Sequence, residues 1–171
     1  MSLSMDIETE RLRLARPRLT EVQELFAFLG DPVAMRYTQK DKNLAACRRR
    51  IAIHEWRRRR DGFAPWTVRL KGHPQIIGWG GLYDDPFDPG WGPELAFFFH
   101  PKAWGQGYGA ELSSAALAVA DTAIHLPMVS AFAHPDNKGS NRLLQKVGFQ
   151  PVRYVDHMDR ILYRRHNPEQ F

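Results

Sequence analysis

The sequence predicts a single domain of the α/β class, a mixed sheet with helices on both faces. Three observations carry this. Two short, strongly apolar runs, Glu94 to His100 and Met128 to His134, read as strands buried on both faces, which belong in the middle of a sheet. A glycine-rich turn follows the first run and leads into a helical stretch. The whole chain reads in the order β-α-α-β-β-β-α-β-α-β-β, with no repeat, low-complexity tract or linker to divide it.

The elements follow in chain order. Glu10 to Arg16 alternates, with Leu12 and Leu14 on one side and Arg11 and Arg13 on the other, the pattern of a half-buried strand; Pro17 ends it. Thr20-Glu21-Val22-Gln23 reads as a capping box. Val22, Leu25, Phe26 and Leu29 continue it at helical spacing, and Gly30-Asp31-Pro32 stops the helix. A second helix is expected from about Asn43 to Arg60, with Ile51 and Trp56 among its inward residues and Gly62 closing it. Phe63 to Leu70 and Gln75 to Tyr83 form a hairpin around Lys71-Gly72-His73-Pro74. Asp84 to Gly92, with Asp84-Asp85-Pro86 and Asp88-Pro89-Gly90, is a loop. A helix from Gly109 to about Ala123 follows the glycine turn. After the strand Met128 to His134 comes a helix from Asn137 to Val147, ended by Gly148. Phe149 to Val155 and Arg160 to Arg165 are the last strands. Met1 to Met5 is too short and polar for a signal peptide; it is given no structural weight, with a natural start expected at Met5.

Composition bounds the function. A chain of 171 residues, 43% hydrophobic and 25% charged, has enough material for one domain with a full core. No apolar run reaches the roughly 18 residues that span a bilayer. Cys47 is the only cysteine, which excludes an intramolecular disulfide and agrees with a reducing cytoplasm. A net charge of +5 favours an anionic partner: nucleic acid, an acidic surface or a phosphate-rich cofactor. Much of the excess lies in Arg48-Arg49-Arg50 and Arg57-Arg58-Arg59-Arg60. Four consecutive arginines at about 100° per residue cannot share one helix face. Trp56, the only aromatic in that helix, is assigned to the core. The helix is therefore expected to be a solvated outer wall and not a nucleic-acid surface.

Trp104-Gly105-Gln106-Gly107-Tyr108-Gly109 is the sharpest local feature. Alternate glycines let the main chain approach a ligand and adopt positive φ. The amides opening the next helix have no partner within it and stand at the positive end of its dipole. Together these make a cradle for a diphosphate; the same turn also serves as a tight strand-to-helix connection without a ligand. No Walker loop exists in the chain. The Rossmann fingerprint fails because the third glycine comes one residue early and the turn follows a late strand. The second feature is Asn137-Lys138-Gly139-Ser140, at the end of a buried strand, continuing to Lys146-Val147-Gly148-Phe149. Asn137 reads as a helix cap whose amide also comes within reach of a ligand beside the strand end.

On these residues the chain resembles the GCN5-related N-acetyltransferases (GNAT superfamily), and within them the ribosomal-protein N-terminal acetyltransferase-like, RimJ/RimL-type subgroup. Trp104 with Gly107 and Gly109 matches the family's diphosphate loop, Asn137 and Ser140 with Gly148-Phe149 its second signature, and Thr9-Glu10-Arg11-Leu12-Arg13-Leu14 its opening strand. The resemblance covers about residues 7 to 165. It implies a mostly antiparallel, twisted sheet of six to seven strands, splayed at the centre, with about four helices. It implies acetyl-CoA as co-substrate, an amine acceptor, no metal and no membrane, in a monomer or homodimer. Pantetheine would pair with main chain near Phe98 and Phe99. The diphosphate would lie on the amides of Gly105, Gln106, Gly107, Tyr108, Gly109 and Ala110, beside Trp104, with Asn137 and Ser140 near the same cofactor.

Amine acetylation needs a base, because an ammonium cannot attack a thioester, and a hydrogen-bond donor for the developing charge. Glu94, ten positions before Trp104, is where the family often has a glutamate that serves as base or positions water; a salt bridge or substrate contact is its other reading. Many relatives carry a tyrosine seven residues after the asparagine to protonate the leaving thiolate. Here that position is Leu144, so Ser140 is the candidate donor. Cys47 reads as structural. The seven histidines show no metal-ligand spacing; His100 and His134, at the ends of the two central strands, read as structural. Trp56, Trp66, Trp79, Phe87 and Trp91 with Asp84, Asp85 and Asp88 suggest an aromatic, acidic mouth suited to a cationic amine, or else core packing. Three functions follow: a small-molecule or peptide N-acetyltransferase, a protein N-terminal acetyltransferase, and a non-catalytic nucleotide- or nucleic-acid-binding module.

Overall fold

Leu12 and Leu14 are fully buried and their neighbours Arg11 and Arg13 exposed, so the alternation read from the sequence is the pleat of a strand. In the computed structural model, which describes residues 6–170, this strand is β2 (Leu12–Ala15). The expectation for Met1–Met5 lies outside the described residues. β1 (Ile7–Glu8) pairs with β2, too short for any periodicity to announce it. The helices α1 (Val22–Leu29) and α2 (Leu44–Asp61) come next, followed by β3 (Trp66–Leu70), β4 (Ile76–Asp84) and β5 (Pro93–Phe99). α3 (Tyr108–Val119), β6 (Met128–Ala133), α4 (Lys138–Lys146), β7 (Gln150–Val155) and β8 (Arg160–His166) complete the order. The sheet has eight strands, one more than the upper expectation, in the order β1-β2-β3-β4-β5-β6-β8-β7.

Every neighbouring pair is antiparallel except β5 and β6. β4 and β5 run in register from Gly78↔Phe99 to Asp84↔Pro93, and β6 and β8 from Met128↔His166 to Ala133↔Ile161. Between them β5 and β6 share one register pair, Glu94↔Ser130, and then diverge. The sheet is two zipped halves joined at one rung, which is the splay the resemblance implied. α1 and α2 cover one face over Leu25, Phe28, Leu29, Ile51 and Trp79. α3 covers the other over Leu95, Phe99, Leu112, Leu117, Leu144 and Phe149.

Three local expectations need correction. The capping box sits two residues early: the Glu21 carboxylate accepts from the Arg18 amide at 2.8 Å, and the Glu21 amide donates to the Arg18 carbonyl at 2.9 Å. Trp56 does not face inward; it is 64% exposed. The buried stripe of α2 is Cys47, Ile51, His54 and Arg58, at helical spacing, and two of its four members are polar, so hydrophobic periodicity did not reveal it. Arg58, expected in solvent, is buried; its guanidinium donates to Glu55 at 3.1 Å and to the carbonyls of Ala64 at 3.1 Å and Pro65 at 2.8 Å. A buried cation without such partners would cost several kcal/mol, on the order expected for an unpaired buried charge. The caps of α2 are as read: Asn43 Oδ1 accepts from the Ala46 amide at 2.8 Å, and Gly62 closes the helix at φ +84°.

Candidate active site

Beyond the Glu94–Ser130 rung the diverging strands open a cleft of about 1230 Å³, reached by both sequence motifs. Its strand wall is set by ladder geometry. The His100 amide donates to Ile77 at 2.8 Å, so residues 94, 96, 98 and 100 turn their main chain to β4, and 95, 97 and 99 turn theirs to the gap. Of the two residues expected to meet pantetheine, Phe99 presents its amide there while the Phe98 main chain belongs to the β4 ladder; Phe97 also faces the gap. The Phe99 carbonyl accepts the Trp104 indole N–H at 3.0 Å, which ties the glycine loop to the strand end.

Gly105 at φ +73° and Gly107 at φ +83° hold the left-handed conformation that explains glycine at both positions. Gly109 has a different reason: a Cβ there would stand 2.7 Å from Leu143 Cδ1, so it lets α3 approach α4 rather than making room for a ligand. Gly107 is the N-cap of α3 and no side chain caps it. The Glu111 amide is the first to bond back, to Gly107 at 3.2 Å, leaving the amides of Tyr108, Gly109 and Ala110 without a partner in the helix. The loop is exposed, and Lys138, Arg142 and Lys146 of α4 line the same cleft. Unpaired amides, a helix N-terminus and nearby cations fit a diphosphate. The opening motif supports the loop from below. The Arg11 guanidinium donates to the Gln106 carbonyl at 2.8 Å and to Glu111 at 2.7 Å, and Thr9 also bonds Glu111. Sequence reading placed Thr9 and Arg11 in a motif without a role, and missed Glu111.

Glu94 is buried at 4% exposure, at the rung where the halves part. Burial pushes its carboxyl up to about 8, and the negative charges of Asp85, Asp88 and Asp84 add to this; a hydrogen bond with Tyr83, its cross-strand neighbour, pulls the other way. The Tyr83 ring stands edge-on to His54 at 5.2 Å, and His54 stands edge-on to Trp79 at 5.2 Å. Burial, then the charges of Arg50 and Arg58, push His54 down to about 4, so it is a neutral imidazole. No local pattern announces that Tyr83 and His54 share a wall with Glu94: they lie on a strand and a helix far apart in the chain. Phe87, Asp85 and Asp88 line this end of the cleft as the expected mouth, but Trp56 does not, and Trp66 is in the core on the other face.

On the far wall, Asn137 caps α4, its Oδ1 accepting from the Ser140 amide at 3.2 Å; both residues line the cleft. Leu144 is buried in the α3-side core, so nothing at that position donates a proton to the cleft. Asn141, which sequence reading passed over, clamps helix to strand: its Nδ2 donates to His134 at 2.9 Å and Asn137 at 2.7 Å, and its Oδ1 accepts from the Tyr163 hydroxyl at 2.5 Å. His134 Nδ1 accepts from the Asp136 amide, so Nε2 carries the proton toward Asp159 at 3.1 Å, and the ring stacks on Tyr37 at 5.2 Å. His100 accepts from the Lys102 amide. Both histidines are held by local structure. Cys47 is fully buried and its thiol pushed up to about 12, chiefly by burial, which leaves it inert. Among the described residues there is no cluster of three or more metal-ligating side chains, and no helix long and apolar enough to cross a membrane.

Comparison with known proteins agrees with this geometry. The sequence model of the family described as acetyltransferase (GNAT) domain matches residues 11–150. The chain is 24% identical over 149 residues to the uncharacterized protein YkkB of Bacillus subtilis (strain 168), covering 86% of this chain and 87% of that one. An acetyltransferase from Agrobacterium tumefaciens superposes with a TM-score of 0.79 at 21% identity, over 95% of this chain and 94% of that one. The ribosomal-protein-S5-alanine acetyltransferase from Vibrio fischeri does so with a TM-score of 0.77 at 13% identity, over 96% and 98%. At such identities the structures share the fold, RimJ/RimL-like members included. With the family match spanning both motifs and the split sheet between them, the chain belongs to the GNAT acetyltransferases.

Proposed function

We propose that the protein acetylates a primary amine by direct attack in a ternary complex with acetyl-CoA, with Glu94 as the base. The carrying observation is a buried carboxylate with its affinity for protons raised to about 8, at the point where the sheet divides. Bound acetyl-CoA supplies the activated thioester. The amides from Gly105 to Ala110 hold its diphosphate, Trp104 fixes the loop, and Phe97 and Phe99 offer main-chain groups to the pantetheine. Glu94 takes a proton from the acceptor nitrogen, directly or through water, as that nitrogen bonds the thioester carbon. Ser140 donates a hydrogen bond to the sulfur as the carbon–sulfur bond breaks. An ordinary thiol pKa of about 8.5 makes the thiolate a tolerable leaving group, so no tyrosine is needed at Leu144. Asp84, Asp85 and Asp88 draw an ammonium toward Glu94. A protein N-terminal amine is the alternative acceptor, favoured by the likeness to the Vibrio fischeri fold. A cytoplasmic setting agrees with a single free thiol.

The test is thiol release from acetyl-CoA over a panel of small amines and N-terminal peptides. A base works in its deprotonated form, so kcat/KM rises with pH along a limb near 8, lowered where a cationic acceptor stabilises the carboxylate. Glu94→Gln removes the limb and cuts kcat by about 10²–10⁴-fold, the usual scale for a general base. An unchanged limb in Glu94→Gln assigns the base elsewhere.

A further inference from the structure

The excess charge of this protein is confined to one helix. α2 contains seven arginines and two acids, a net +5 that equals the net charge of the whole chain and leaves the remainder neutral. Both acids are already engaged: Glu55 binds Arg16 and Arg58, and Asp61 binds Arg60. Arg50 binds Asp41. Arg48, Arg49 and Arg59 are exposed and form no ion pair among the described residues. Trp56, at 64% exposure, lies among them.

Helical geometry puts these residues on one face. At about 100° per residue, Arg48, Arg49, Arg59 and Arg60 all fall within roughly 80° of Trp56, with the small Ala45 and Ala52 between, along about 18 Å of helix axis. The four-arginine run does circle the helix, but Arg58 has turned inward, and the outward Arg59 and Arg60 join Arg48 and Arg49 ten to twelve residues earlier. An indole left in water between unpaired guanidinium groups is a stacking platform flanked by phosphate donors, the pairing that holds single-stranded nucleic acid without sequence preference. An acidic peptide would satisfy the arginines and leave the flat face of Trp56 without a matching partner.

We infer that the outer face of α2 binds single-stranded nucleic acid, with a base stacked on Trp56 and flanking phosphates on Arg48, Arg49 and Arg59. Arg48, Trp56 and Arg59 lie outside the cleft that Glu94 lines, and Arg49 stands at its rim; the inference holds whether or not the proposed base is correct.

The experiment is fluorescence anisotropy of the full chain with labelled single-stranded polyuridylate, titrated against salt, with a labelled polyglutamate as the rival anion. Three phosphate contacts give a log–log salt slope of about −2. Trp56→Ala weakens binding by about 5- to 100-fold, the range of a lost base stack. The pair Arg48→Gln with Arg59→Gln leaves one contact and flattens the slope to about −0.7. Both variants keep acetyl transfer to a small amine, which shows that they fold. No RNA binding, RNA binding indifferent to Trp56→Ala, or polyglutamate bound as tightly as RNA each overturns the inference, the last by making the stripe a docking face for acidic protein.

Discussion

At Glu94 one residue carries opposite demands from folding and from chemistry. Its carboxyl goes from an ordinary 4.5 in the unfolded chain to about 8 in the fold, because burial and three neighbouring aspartates disfavour the charge. The folded state therefore binds the proton more tightly, and stability falls as pH rises from about 4.5 to about 8, then levels off. Glutamine at this position has no charge to bury. Thermal melts of Glu94→Gln and the wild type should separate progressively over that window, with the variant the more stable on the alkaline side. Parallel melting curves at all pH values would show that the carboxylate is solvated in the fold. Glu94 was legible as a candidate from its distance to the glycine loop. Its raised pKa was not, since Tyr83 lies across a strand pair and Asp84, Asp85 and Asp88 sit in a loop whose course the sequence does not give.

The β4–β5 arm is the rigid wall of the cleft, and its stiffness is visible in Gly80. A Cβ there would stand 2.5 Å from the Ala96 carbonyl oxygen and 2.9 Å from Phe97 Cα, backbone atoms that cannot step aside. Gly80→Ala should destabilise the protein by about 1–3 kcal/mol or more, the cost of overpacking a core. It should also raise KM for acetyl-CoA, because the displaced strand carries Phe97 and Phe99. Gly72→Ala is the control: its turn has open space, and only positive φ is lost. Equal melting temperatures for the two variants would mean that β4 and β5 separate easily. At this scale the sequence was most informative: alternation, caps and glycines located all seven longer strands and all four helices to within a few residues. α2 shows the limit. Its ends were marked by Asn43 and Gly62, but its inward face was not, because His54 and Arg58 are buried through contacts made by other elements.

Across the whole molecule, the two half-sheets meet at one register pair and share the core under α3, and on the cleft side the Tyr37–His134 stack lies between them. A ligand lying between the halves should hold them together. Acetyl-CoA at about 100 times its Kd adds about 2.7 kcal/mol, which for a chain of this size is roughly a 5–10 °C rise in Tm. Calorimetry with and without acetyl-CoA checks this; an unmoved Tm at saturating acetyl-CoA would exclude a binding mode that spans the gap. The sequence by itself determined the order of elements, the glycine turn before a helix and the asparagine cap after a buried strand, because hydrophobic period, capping and positive φ are local properties. Only the tertiary structure decided where the sheet divides, that Tyr83 and His54 stand beside Glu94, that Leu144 is core, and that Trp56 faces water while Arg58 does not. Burial and electric field at a side chain are sums over elements distant in the chain, and no local pattern contains them.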